Sequence, residues 1–191
     1  MICLASQSPR RAELLRQIGV EFEVRAADID ESRLSDESPE TYVRRMAMEK
    51  ARSIASGLEH GESDMPILAA DTTIAIDGDI IGKPRNADDC CRFLRLLSGR
   101  VHEVLSAVAL LQHERMDVRL NRNTVCFREL ATREIEAYCA TAEPMDKAGA
   151  YAIQGRAAVF IERLEGSYSG VMGLPLCETA ELLEAAGIEI F

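Results

Sequence analysis

The chain has no apolar run long enough to span a bilayer, so no membrane-spanning helix and no membrane partner is expected. Its opening, MICLASQSPRR, places the basic pair after a short apolar run. A secretory signal has the opposite order and a longer apolar stretch, so no export signal is expected. CxxC pairs and HxxxH or HExxH spacings are missing. Cys90 and Cys91 are adjacent and cannot share one zinc in the usual geometry; Cys3, Cys126, Cys139 and Cys177 stand alone in apolar settings. The six cysteines therefore read as buried, reduced thiols of a reducing cytosol. His60, His102 and His113 read as surface or strand residues without a catalytic role. No repeat, low-complexity tract or Pro/Gly/Ser linker divides the chain. One domain over residues 1–191 follows, or two lobes sharing one sheet.

Positive charge is also scarce. Lys and Arg number 22 against 32 Asp and Glu, a formal charge of −10. Such a surface repels DNA and RNA on average, which argues against a nucleic-acid polymer as partner. A small anionic substrate is still compatible, provided the basic residues converge in one cleft. Hydrophobic residues at 47% of 191 give ample material for a core.

Strand-like and helix-like segments alternate. Residues 2–5 form a short apolar run, read as a buried strand. Residues 12–18 read as a helix closed by Gly19, and 20–24 as a strand with Val20, Phe22 and Val24 on one face. The stretch 28–37 carries five acidic residues and reads as polar loop. Ser38 and Pro39 open a helix to about Ser56 as cap and first helical residue. Residues 57–64 read as loop. Residues 67–76 read as a strand interrupted at Asp71, Thr72 and Thr73, with a hairpin turn at Asp77, Gly78 and Asp79. Asn86 caps a helix to about Leu97, terminated by Gly99; Thr132 caps another to about Ala140. Strands are expected over 101–111, 116–127 and 159–164. Pro175 opens the last helix, Gly187 closes it, and 188–191 are read as an edge strand. The fold class is mixed α/β, with a central mixed, twisted sheet flanked by helices.

Four segments have the residue types for chemistry. Ser6-Gln7-Ser8-Pro9-Arg10-Arg11 delivers a strand to a helix N-terminus, where free N–H groups, hydroxyls and guanidiniums suit phosphate. The glycines of the P-loop and dinucleotide fingerprints are absent, so an ordinary capped helix fits equally. Asp71-Thr72-Thr73 ends an apolar run in a carboxylate and two hydroxyls, suited to a divalent ion or a proton from water, or to a solvated turn. Gly82-Lys83-Pro84-Arg85 stiffens the backbone around one cation. Residues 146–155, DKAGAYAIQG, combine a cation, an acid, an aromatic and an amide among small residues, as in a cleft wall that stacks a ring and reads a base edge. Asp28, Asp30, Glu31 and Lys50 are further candidates for the same cleft.

These segments, with others, resemble the blocks of the Maf family of nucleotide pyrophosphatases. LASQSPRRAELLRQIG, EKA, AADTTIAIDG, IGKPRNADD, LSGRVHEVLSAVAL, EPMDKAGAYAIQG and GLPLCET follow in this order, and the resemblance runs from Ile2 to Leu183. The resemblance implies an α/β fold similar to the inosine triphosphate pyrophosphatases, with two lobes around a cleft. It implies a divalent metal (Mg, Mn or Co), a cytoplasmic location and a homodimer. The implied reaction cleaves a nucleoside triphosphate between the α and β phosphates, releasing pyrophosphate. Family members are linked to cell-division arrest and to removal of modified nucleotides.

KAGAYAIQG resembles the subfamily acting on dTTP and UTP, whereas the sister group preferring 7-methyl-GTP typically reads KAGSFKAEG. By that analogy Arg10, Thr72 and Gln154 are specificity positions and Asp71 is the proton acceptor. Ser6, Arg11, Glu31, Lys50 and Lys83 match positions for phosphate or metal; Glu31 is the expected metal ligand, joined by Asp71 if Asp71 is not the base, since one carboxylate does not easily serve as both. SQS departs mildly from the commoner SxS with a small middle residue. As a base, Asp71 is expected to titrate low among cations. Two alternatives stay open: the 7-methyl-GTP subtype, and a nucleotide-binding regulator of septum formation.

Overall fold

A computed structural model describes residues 1–58, 64–141 and 143–190. Seven strands form one sheet in the order β2-β1-β3-β5-β6-β7, with β4 paired to β3. The strands are β1 (Ile2–Ala5), β2 (Phe22–Arg25), β3 (Ile67–Ile76), β4 (Asp79–Ile81), β5 (Val101–Gln112), β6 (Arg115–Phe127) and β7 (Ile161–Glu165). The helices are α1 (Pro9–Gln17), α2 (Pro39–Ser56), α3 (Ala87–Leu97), α4 (Thr132–Cys139), α5 (Tyr168–Met172) and α6 (Leu176–Ala185). β1 lies parallel to β2 and β3. All other pairings are antiparallel, so the sheet is mixed.

Local signals explain most element ends. The Ser38 side chain accepts from the Thr41 N–H at 3.2 Å, and Pro39 occupies the first helical position of α2. Asn86 accepts from the Asp89 N–H at 2.8 Å at the start of α3. Asp77 and Gly78 both have positive φ, which gives the two-residue β3–β4 loop the twist a hairpin needs.

Other readings are corrected. α1 begins at Pro9, three residues before the expected start, because Pro tolerates the first turn. β2 is an edge strand and Val24 is 50% exposed, so its alternation does not mark a buried face. β3 runs unbroken through Asp71, Thr72 and Thr73, because these residues pair in register with Ala107, Ser106 and Leu105 of β5. Ala131, not Thr132, is the N-cap of α4, and its N–H donates to Glu134. A 3-10 turn over Arg156–Phe160 precedes β7 where a strand is expected to begin. The short α5 has no strong sequence signal. Residues 188–190 form no strand, and Phe191, His60 and most of the 57–64 loop lie outside the described residues.

The long strands carry two large apolar cores, with smaller clusters between α2 and the sheet. Leu4, Leu15, Leu68, Ala70, Val108 and Leu183 pack together beneath α1 and α6. Ile74, Leu94, Leu97, Phe127, Tyr138 and Phe160 pack together beneath α3 and α4. Burying each large side chain stabilises by about 1.5–3 kcal/mol, enough to order both ends of β3. Cys90 and Cys139 are joined in a disulfide between α3 and α4, which corrects the expectation that all six cysteines are free thiols. No helix among the described residues is long and apolar enough to cross a membrane.

Candidate active site

The site arises from unequal strand lengths. β1 pairs with β3 as far as Ala5 opposite Ala69, and then turns away at Ser6. β3 continues, so Asp71 and Thr72 face a notch that β1 has vacated. Asp71 is therefore a mid-strand residue at the end of a neighbouring strand, not a residue of a strand end. It also lies between the two cores, which claim β3 up to Ala70 and again from Ile74.

A cleft of about 690 Å³ opens at this notch. Ser6, Arg10, Arg11, Glu31, Lys50, Asp71, Thr72, Lys83 and Gln154 all line it. Every site residue expected from the sequence is thus brought to one cavity. Asp28, Asp30, Asp146, Lys147 and Tyr151 line it too.

Lys50 is the hub. Its Nζ donates to Asp71 Oδ1 at 2.6 Å and lies 2.7 Å from Glu31 Oε1. Lys83 Nζ reaches the other Glu31 oxygen at 3.4 Å. Burial pushes the Asp71 carboxyl above its ordinary value, against the pull of Lys50 and Arg11. This corrects the expectation of a low-titrating base. Glu31 differs: burial raises it, but the Lys50 and Lys83 ammoniums outweigh that and hold it below its ordinary value. Two nearby carboxylates thus have environments that push them apart, which is how acid and base roles are separated.

Arg11 acts partly as a stitch. Its guanidinium donates to Gly173 O at 2.8 Å, Ser6 Oγ at 3.2 Å and Thr72 Oγ1 at 3.4 Å. Three of five N–H groups are so engaged, leaving two for an anion. Thr72 Oγ1 also meets Ser106 Oγ at 2.8 Å, and Ser106 Oγ donates to Gly170 O at 2.6 Å. Arg10 lines the cleft and makes no hydrogen bond or ion pair among the described residues.

The acidic loop is clamped onto α2. Tyr42 Oη donates to the Glu31 carbonyl at 3.0 Å, and Arg45 donates to Ser32 O at 2.9 Å. Arg45 also grips both oxygens of the buried Glu37 at 2.7 Å. Opposite, the Gly149 N–H donates to Gly82 O at 3.0 Å, which fastens the Lys83 loop to the 146–155 segment. His102, read from sequence as surface or strand, is a buried strand residue whose Nε2 meets Tyr151 Oη at 2.8 Å. Sequence reasoning missed Ser106, Arg45, Glu37 and His102. Their partners lie at long or irregular separations, so no local spacing marks them.

A divalent cation of the Mg²⁺ type takes oxygen ligands, from one or two carboxylates and from a bound phosphate. Among the described residues no three His, Cys, Asp or Glu side chains are arranged to hold a metal ion by themselves. Glu31 and Asp71 nevertheless converge on one ammonium, and two carboxylates plus substrate phosphates suit Mg²⁺-type ions. The residues present fit such an ion.

The model of the family described as Maf-like protein matches residues 1–186. A dTTP/UTP pyrophosphatase of Nitrosospira multiformis is 52% identical, over 100% of this chain and 96% of its own length. Those of Methylobacillus flagellatus and Pasteurella multocida are 52% and 45% identical, covering 99% and 98% of this chain and 94% and 96% of theirs. A solved structure described as the Staphylococcus aureus Ham1 protein aligns at a TM-score of 0.45 and 15% identity, over 69% of this chain and 72% of that one.

Proposed function

Because the chain belongs to the Maf family, we propose that it hydrolyses dTTP and UTP to the monophosphate and pyrophosphate. The observation that carries this reading is the meeting of Lys50, Asp71 and Glu31 in a cleft lined by Arg10, Arg11 and Lys83. An overall acidic protein places Arg10, Arg11, Lys50, Lys83 and Lys147 in this cleft, where they can meet the charge of a triphosphate.

In this reading Arg10, Lys83 and the free N–H groups of Arg11 bind phosphate oxygens, with Ser6 and the start of α1 supplying further donors. Asp71, its basicity raised by burial, orients a water and takes its proton as the water attacks phosphorus in line. Lys50 holds Asp71 in place and offsets negative charge as phosphate enters. A divalent ion (Mg, Mn or Co) would be held by Glu31, with Asp71 joining it only where Asp71 is not the base, and would neutralise charge on the triphosphate. Gln154, exposed at the cleft, reads the pyrimidine edge, since an amide donates and accepts at once. Arg10 and Thr72 join it as specificity positions. Purines are rejected by size and by unmatched polar groups.

A cytoplasmic location, a homodimer and a role in limiting modified nucleotides, linked to cell-division arrest, belong to the same proposal. The test is pyrophosphate release from a nucleotide panel, with and without chelator, for the parent and Asp71→Asn. The reading expects dTTP and UTP to be best, and a loss of roughly a hundredfold or more in the variant. Preference for 7-methyl-GTP would assign the sister subtype. Nucleotide binding without turnover would assign a regulator of septum formation.

A further inference from the structure

The turn that presents Gln154 is braced from behind by a carboxylate outside the cleft. Glu143 Oε1 accepts from Tyr138 Oη at 2.9 Å, and Oε2 accepts from the Arg156 N–H at 3.1 Å. Its backbone oxygen accepts from Lys147 Nζ at 2.6 Å. The carboxylate also presses on Gly155: a Cβ there would come within 2.2 Å of Oε1. Glu143 therefore touches both residues that follow Gln154, together with one lysine of the cleft wall. It does not itself line the cleft.

Gln154 needs such a brace. Tyr151, Ala152 and Ile153 are buried and fix the chain before it, but Gln154 is exposed. After it, the backbone is held by Gly155 N–H to Ala152 O and Ala158 N–H to Gly155 O, both at the turn's own scale. Among the described residues, the Glu143 bonds are the hydrogen bonds that link Arg156, two residues after Gln154, to Tyr138 of α4, while further along Phe160 packs edge-on against the same Tyr138 ring. An amide discriminates between base edges only while its oxygen and nitrogen are held in hydrogen-bonding geometry, and loosening by even a fraction of an ångström relaxes the choice.

We propose that Glu143 is a positioning residue that fixes Gln154, and so sets discrimination among nucleobases without touching the substrate. The proposal rests on the reading of Gln154 as the base-reading residue. A general structural role for Glu143 would weaken every ligand alike; a role through Gln154 moves only the choice of base.

The test measures kcat and KM for dTTP and GTP in the parent, Glu143→Gln, Tyr138→Phe, Gln154→Ala and the Glu143→Gln/Gln154→Ala double variant. Inhibition by inorganic tripolyphosphate reports the phosphate subsite. Glu143→Gln should lower the dTTP-to-GTP ratio of kcat/KM by roughly tenfold, through KM for dTTP, with tripolyphosphate inhibition unchanged. Tyr138→Phe should move the ratio in the same direction by less, and carries the test if Glu143→Gln fails to fold. In the Gln154→Ala background, Glu143→Gln should change the ratio by less than about twofold. A parental ratio in both Glu143→Gln and Tyr138→Phe, with the ratio lost in Gln154→Ala, overturns this inference and leaves the base-reading intact. Equal weakening of tripolyphosphate and both nucleotides also overturns it. A parental ratio in Gln154→Ala removes the base-reading and this inference together.

Discussion

Lys50 Nζ stands 2.6 Å from Asp71 Oδ1, and each side chain is only 12% exposed. The pair joins α2 to the middle of β3. The same ammonium also meets Glu31, so it bonds directly to both carboxylates of the notch.

Removing that charge strands a buried acid. Lys50→Gln should lower stability by about 3 kcal/mol near neutral pH, since a broken buried pair leaves its partner uncompensated. Adding Asp71→Asn should restore part of this, although both variants lose turnover. Urea midpoints of the two single variants and the double variant check it; an additive double variant would contradict the coupling.

Arg45→Gln tests the clamp on the acidic loop. Glu37, whose side chain is 3% exposed, would lose both its guanidinium bonds. The expected cost is again about 3 kcal/mol. Protease cleavage between residues 27 and 37 should speed up in the variant, because Ser32 O loses its anchor as well.

Gly149→Ala should disturb the opposite wall. Gly149 has φ +65°, and a Cβ there would approach Ile74 Cδ1 to 2.6 Å. Strained φ alone costs of order 1 kcal/mol, and the contact adds to it. Thermal unfolding should fall by several degrees, and KM for the triphosphate should rise as the Lys83 loop loosens from Gly82.

His102 makes stability depend on pH. Burial lowers its pKa from 6.5 to about 4, so the folded protein keeps it neutral. The unfolded chain binds the proton first as pH falls. The contribution is therefore complete above pH 6.5 and is lost as pH drops toward 4, to a total of roughly 3 kcal/mol. His102→Gln should flatten the urea-midpoint profile across that window. An unchanged slope would mean that other groups carry it.

Much of the fold was legible because its cues are local. Ser38-Pro39 and Asn86 signal helix starts through side chains that bond N–H groups three residues on, and Asp77-Gly78 signals a turn through positive φ. The errors came where neighbours in space overrode local pattern. Asp71, Thr72 and Thr73 look like a strand break because polar residues interrupt an apolar run, yet β5 supplies the pairing that continues β3 through them. Val24 looks inward-facing by alternation, but an edge position leaves it exposed.

The same division holds at the site. Residue types along the chain suggested a cleft suited to phosphate, and the family resemblance nominated Arg10, Lys50, Asp71, Lys83 and Gln154, because functional groups and their order are spelled out in the sequence; the fold brings these residues to one cavity. How those groups act on one another was decided only in three dimensions. The raised Asp71 carboxyl, the Glu37–Arg45 clamp, the neutral His102 and the Glu143 brace all depend on burial and on contacts between distant segments. Desolvation and hydrogen-bond geometry are properties of packed neighbours, and a one-dimensional string does not contain them.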